Sequence, residues 1–303
     1  MDIPTAGQTD FVVKSIPDKI EFKVQQCDLE KSEIFRDMFA VCNQGSASPH
    51  GVKTLADSCY VELDEPAQAL KTLLALLRQP PPPPLLSLPN SVSAQECWVK
   101  LPFSQRYEHD SVIPFPLLPG MIRLSDKYGL SDPLVRSLRS HLVANAFLHP
   151  LKVYGFATAN RFEDVAVEAS TYLLHPPLAS YSREDISVIP TVTAYHDLVQ
   201  LHAHRIKRLQ EILLSEEIFP FGYGLCTLHC DETARMWNER RVQLVPRIEA
   251  GDDIAAEMRT LMDQFSSCQA CRKACIAATE MLEYKCRRIA RTIGYLPSSG
   301  RVT

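Results

Sequence analysis

The chain has 303 residues, of which 46% are hydrophobic and 22% charged, and its net charge is −4. This is the balance of a folded globular chain long enough for two domains. It excludes a global positive field that would draw the protein onto nucleic acid or an anionic membrane.

The opening MDIPTAGQTD has neither the basic segment nor the apolar segment of an export signal. The ten cysteines are therefore expected to be reduced thiols of a cytoplasmic or nuclear protein. The run DFVVKS is β-branched and aromatic. After the turn-like IPDK, Ile20, Phe22 and Val24 alternate with Glu21, Lys23 and Gln25, so two strands joined by a Pro-Asp turn are predicted. Leu29, Ile34, Phe35, Met38 and Phe39 then fall near helical spacing, with Ser32 placed to cap EIFRDMF. Phe35, Met38 and Phe39 read as core residues. NQGSASPHG is a loop by composition, and CYVELD reads as a third strand. EPAQALKTLLALLRQ reads as a helix with Pro66 in its first turn, and its ALKTLLALL is too short to span a bilayer.

Five prolines, Pro80 to Pro84, forbid regular helix or sheet and predict a stiff polyproline connector. From Leu85 to about Ser111 there is no period, so 79–112 reads as an insert whose removal leaves the fold intact. Patterning returns at FPLLPGMIRLSDKYGL, where Leu117, Leu118, Met121, Ile122 and Leu124 precede Tyr128 and Gly129 supplies a stop. From Asp132 onward helix patterns alternate with short loops, and the last is one long helix starting near Asp252. Its Ile254, Met258, Leu261, Phe265 and Cys268 follow spacings of four and three, and the rhythm resumes through Cys275, Leu282, Cys286, Ile289 and Ile293. The acidic pair Asp252-Asp253 suits a helix N-terminus. The basic clusters RIKR (Arg205 to Arg208) and Arg287, Arg288 and Arg291 read as solvated helix faces. The fold class is α+β: a short β-sheet flanked by helices over 1–148, then an all-α domain over 149–303.

The order of these pieces resembles a BTB/POZ domain over about half of the chain. The resemblance is carried by Asp10-Phe11, Phe22-Lys23-Val24-Gln25, Leu29, Ser32 and Phe35, and by Asp126-Lys127-Tyr128 of LSDKYGL. Gln25 stands where the family usually has a histidine close to the acid matched by Asp10. An amide hydrogen-bonds a carboxylate but cannot become cationic. Together with HPLKVYGFATANRFEDVAVEAS and a late C-x2-C, the opening is similar to a group of fungal BTB-domain proteins.

The resemblance implies protein–protein association. Domains of this family commonly homodimerise, and many bridge a cullin ubiquitin-ligase scaffold to a substrate. Cullin-binding members often carry a hydrophobic-x-Glu signature in the loop before the third strand, which Leu55-Ala56-Asp57 matches loosely. Asp10, Gln25, Leu55 and Asp57 are thus the candidate partner-binding residues. The alternative class is a transcription-associated BTB regulator. Tandem C2H2 fingers would mark that class, and the chain has none.

GLCTLHC supplies Cys226, His229 and Cys230, and SSCQAC supplies Cys268 and Cys271. A C-x2-H pair and a distant C-x2-C pair form the ligand set of a closed tetrahedral zinc site, structural because four protein ligands leave no place for water. Cys230 is an alternative to His229. Against this, Cys268 and Cys275 lie on the apolar stripe, where a free cysteine behaves as a small hydrophobe. His196, His202 and His204 share one helix without a carboxylate or cysteine at ligand spacing. No G-x-G-x-x-G, phosphate loop, G-x-S-x-G or H-E-x-x-H occurs. The expectation is a non-catalytic adaptor or scaffold.

Overall fold

Four strands build the sheet of the N-terminal unit, in the order β2-β1-β4-β3. In this computed structural model, residues 10–43, 53–55, 58–87, 107–265 and 267–296 are described. They fall in two compact units, Met1–Leu148 and His149–Thr303.

β1 (Asp10–Ser15) pairs antiparallel with β2 (Glu21–Gln25), Phe11 opposite Val24 and Val13 opposite Phe22. The turn between them is closed by Lys19 at φ 56° and by the Ser15 hydroxyl, which accepts the Asp18 N–H. On its other side β1 runs parallel to β4 (Ser58–Leu63). A parallel pair needs a crossover, and α1 (Gln26–Leu29) and α2 (Glu33–Asn43) lie in that connection. β3 (Lys53–Leu55) is a strand where a loop was expected: three residues are too few for alternation to show in sequence.

Alternation along β1 and β2 buries Phe11, Val13 and Val24. Phe35 and Phe39 of α2 are also buried, Met38 is half-buried, and the Phe39 ring meets Phe11 edge-on at 5.2 Å. α3 (Ala67–Arg78) adds Leu70, Leu73, Leu74, Leu76 and Leu77 and packs on α1 and on α4 (Leu118–Lys127).

Two sequence motifs 96 residues apart meet here. The Ser32 hydroxyl accepts the Phe35 N–H, as a capping residue should, and donates to the Tyr128 carbonyl. The Phe35 ring stacks on Tyr128 at 5.5 Å. Gly129, at φ +55°, ends α4 in the left-handed conformation. Beside this contact the buried Glu65 carboxylate takes both Arg123 nitrogens, at 3.2 and 3.3 Å, and Lys127 at 2.7 Å. Burial alone would raise its pKa, but the Arg123 and Lys127 hydrogen bonds and charges outweigh that and lower it.

The proline run is docked. On α5 (Asp132–Asn145), Ser137 and His141 sit four residues apart and donate to the carbonyls of Pro81 and Pro82, at 2.8 and 2.9 Å. One turn further, Asn145 accepts the Phe115 N–H and donates to the Ile113 carbonyl. His141 also takes the Ile113 N–H on Nδ1, which places its own proton on Nε2. Proline lacks an N–H but keeps its carbonyl, and the sequence pattern does not show where those carbonyls find donors. These contacts tie Pro81 and Pro82 to α5, and residues 88–106 of the 79–112 segment lie outside the described residues.

The second unit is helical. α6 (Pro150–Ala159) and α7 (Glu163–Ser170) form a pair that turns at Arg161, φ 58°. α8 (Arg183–Ile186) follows with a complete capping box on Ser182. α9 (Val192–Ser215), capped by Thr191, is the central helix. Around it α10 (Cys230–Leu244), α11 (Ile254–Arg259) and α12 (Gln269–Arg287) enclose one core that includes Leu209, Leu213, Trp237, Met258, Leu261, Cys275 and Leu282.

The long helix expected from Asp252 is two helices. α11 ends in a 3-10 turn at Thr260–Asp263, and α12 starts only at Gln269. Phe265 is buried in the same core and Cys268 is packed against it, so the apolar rhythm continues across a break in the backbone. Polar and small residues at the break favour turns over helix. Asp253 caps α11 through the Ala256 N–H at 3.0 Å, and Asp252 accepts the Glu249 N–H at 2.8 Å.

Candidate metal centre

Both ligand pairs sit at helix starts. Cys226 lies in the loop before α10, its carbonyl taking the Cys230 N–H, and His229 is the N-cap of α10. Cys268 is the N-cap of α12, its carbonyl taking the Arg272 N–H, and Cys271 lies in the first turn. A two-residue interval at a helix start turns both side chains toward one point. The packing of α10 against α11, and of α11 against α12, brings the two starts together. The break before Cys268 is therefore what makes this pair available.

The sulfurs of Cys226, Cys268 and Cys271 and a ring nitrogen of His229 all lie within 4.8 Å of one another. Cys226 Sγ stands 3.5 Å from His229 Nδ1 and 3.6 Å from Cys268 Sγ. Metal–ligand bonds of about 2.3 Å to sulfur and 2.0–2.1 Å to nitrogen imply tetrahedral edges of about 3.5–3.8 Å. These two separations fit those edges, and the whole set lies within 4.8 Å. They are far beyond the roughly 2.05 Å of a disulfide, and all of these cysteines are free.

The electrostatics favour thiolate at two positions. The backbone amides of Leu228 and His229 lower the Cys226 pKa, and the amide of Cys271 lowers that of Cys268. Both lie at the positive end of a helix dipole. Burial pushes Cys271 the other way, to about 11, although Thr233 donates a hydrogen bond to its sulfur at 3.2 Å. A divalent ion would reverse that, because a coordinated thiol is deprotonated. Burial likewise raises Cys275 and Cys286 to about 11. Cys230 points to Asp231 at 3.6 Å, so the structure selects His229 over it.

The other candidates fall differently. Asp10 is paired with Gln25 in the β1–β2 register, and the Gln25 side-chain oxygen receives the Cys27 thiol. Leu55 ends β3, whereas Asp57 lies outside the described residues. His202 is buried on the Leu173 carbonyl at 2.7 Å and His196 faces Gln200. A cavity of about 320 Å³ is lined by Asp252 and Asp253 among others, but both carboxylates already serve the backbone.

Sequence reasoning missed the loop beside the candidate metal ligands. Phe221, Tyr223, Leu225 and Leu228 are exposed, Phe221 by 97%. Phe221 holds φ 53°, and Gly222 and Gly224 are also left-handed. A bulky side chain in that region is strained. The signal was present in the two glycines of FGYG, which allow such a turn.

Among the described residues, no helix is long and apolar enough to cross a membrane. The chain matches no family model, and comparison with curated proteins and with solved structures finds no match.

Proposed function

We propose that this is a non-catalytic interaction protein whose helical unit is organised by a structural zinc ion and presents the 221–228 loop to a protein partner. The observation that carries it is the position of that loop. Four large apolar side chains face solvent directly before and between Cys226 and His229. Exposed apolar clusters of this kind mark association surfaces. Zinc suits a set of three thiolates and one imidazole, and with four protein ligands it holds a loop in place rather than activating water.

The N-terminal unit is proposed to be a BTB/POZ domain that forms a homodimer. The order of strands and helices, and the contact of Ser32 and Phe35 with Tyr128, support it. A surface is available on α2: Ile34 and Val41, seven residues apart and so on one face, are 52% and 70% exposed. A cullin is the partner class that the family resemblance suggests for this unit.

The test is affinity capture of the full chain and of a Phe221→Ser/Tyr223→Ser variant from native cells, with bound proteins identified by mass spectrometry. Proteins captured by the wild type and lost by the variant are the expected result. An identical set for both contradicts the loop assignment, and a monomeric mass at tens of micromolar contradicts the homodimer.

A further inference from the structure

The two basic clusters of the sequence converge. α9 supplies His204 and Arg208, and the C-terminal end of α12 supplies Lys285 and Arg288. With Ile212, Ile289, Ala290 and Tyr295 they line a cavity of about 310 Å³. Two carboxylates reach this rim: Glu211 binds Arg208 at 2.6 Å, and Glu216 binds Lys285. Among the described residues, the Arg288 guanidinium pairs only with the Tyr284 side chain, by a 3.4 Å hydrogen bond and a cation–π contact at 5.7 Å.

Behind the wall lies a buried cation. Arg205 is 3% exposed and donates to the carbonyls of Ala250 at 2.8 Å and Ala290 at 3.0 Å, with a longer contact to Ile289. These are neutral acceptors, so its charge is solvated but not cancelled. Burial, then the charge of Arg291, depresses its pKa to about 10. Buried arginines are ordinarily paired with an acid. Arg208, Lys285 and Arg288 thus line the groove with Arg205 behind its wall, against the two rim carboxylates Glu211 and Glu216, and the excess positive field is concentrated in a concave site.

We propose that this groove binds an organic phosphate, a phosphate monoester with an apolar or aromatic body. The guanidinium of Arg288, with Arg208 and Lys285, receives the phosphate oxygens, for which arginine geometry is suited. Ile212, Ile289 and the exposed ring of Tyr295 receive the body. The volume is that of a small-ligand site. The proposal shares no residue with the metal centre and does not depend on it.

The experiment is calorimetric titration of the full chain at low ionic strength, with phenyl phosphate and, separately, inorganic phosphate. One saturable site is expected for phenyl phosphate, tighter than for inorganic phosphate. Arg288→Ala and Arg208→Ala are each expected to weaken it about tenfold or more, as loss of a charge-assisted hydrogen bond requires. Arg235→Ala, which removes an exposed pair with Glu239 elsewhere on α10, is the control expected to bind as wild type. All variants are checked for unchanged helicity. Absence of saturable binding up to about 10 mM phenyl phosphate overturns the proposal, as does wild-type binding by both arginine variants. Equal affinity for the two probes overturns the role given to the apolar wall.

Discussion

Cys268 is both the N-cap of α12 and a candidate metal ligand, and its neighbours divide the late cysteines into two chemical kinds. Cys226 and Cys268 have backbone amides aimed at their sulfurs, whereas burial raises the pKa of Cys275 and Cys286. Cys268→Ser is therefore expected to lose most of the bound zinc and to lower the melting temperature, while Cys230→Ser keeps both. Zinc per chain and thermal melting, measured on the two variants side by side, check this; equal zinc in both contradicts the ligand assignment. Two buried histidines give a second residue-scale expectation. Burial lowers the pKa of His141 and of His202, and each donates to a backbone carbonyl, Pro82 and Leu173 respectively. With the folded pKa below the ordinary value of about 6.5, the unfolded chain takes up the proton first. Their contribution is fully present above about pH 7 and falls as pH drops through 6.5 toward the lowered folded value. The slope is up to about 1.4 kcal/mol per pH unit for each group. Melting curves between pH 7.5 and 5 should show that slope, and His141→Gln/His202→Gln should flatten it. An unchanged slope in the double variant rules the two histidines out as its source.

At the scale of elements, periodicity located most helices and three strands and failed where burial and backbone part company. Leu261, Phe265 and Cys268 keep a helical rhythm because all three meet one core, although α11 and α12 are separate α-helices with a 3-10 turn after the first. The same rhythm hid the reason for the C-x2-C pair, which needs a helix start rather than a helix middle. Both ligand pairs were nevertheless legible, since two-residue spacing survives any fold that brings two helix starts together. The docking of Pro81 and Pro82 was not, because it rests on Ser137 and His141, whose polar stripe on α5 reads in sequence as surface. Gly155 makes a further element-scale case. It lies in the middle of α6, where alanine would normally be favoured by about 1 kcal/mol. Here an added Cβ would stand 2.3 Å from the Val188 carbonyl oxygen. Gly155→Ala is expected to destabilise the helical unit by roughly 1–3 kcal/mol, as overpacking does. Chemical denaturation checks it, and a stabilised variant would show that the segment ending at Val188 yields.

For the whole molecule, the two units carry different kinds of order. The N-terminal one is held by a sheet, a leucine-rich helix and the Glu65 ion cluster. The C-terminal one surrounds α9 and keeps three thiols and an imidazole at metal-binding distance next to an exposed apolar loop. The central claim is that a zinc ion organises this second unit, and elemental analysis of the purified full chain before and after chelation tests it most directly. About one zinc per chain is predicted, with chelation lowering the melting temperature and zinc alone restoring it. A metal-free preparation whose melting is unmoved by chelator or by added zinc would contradict it.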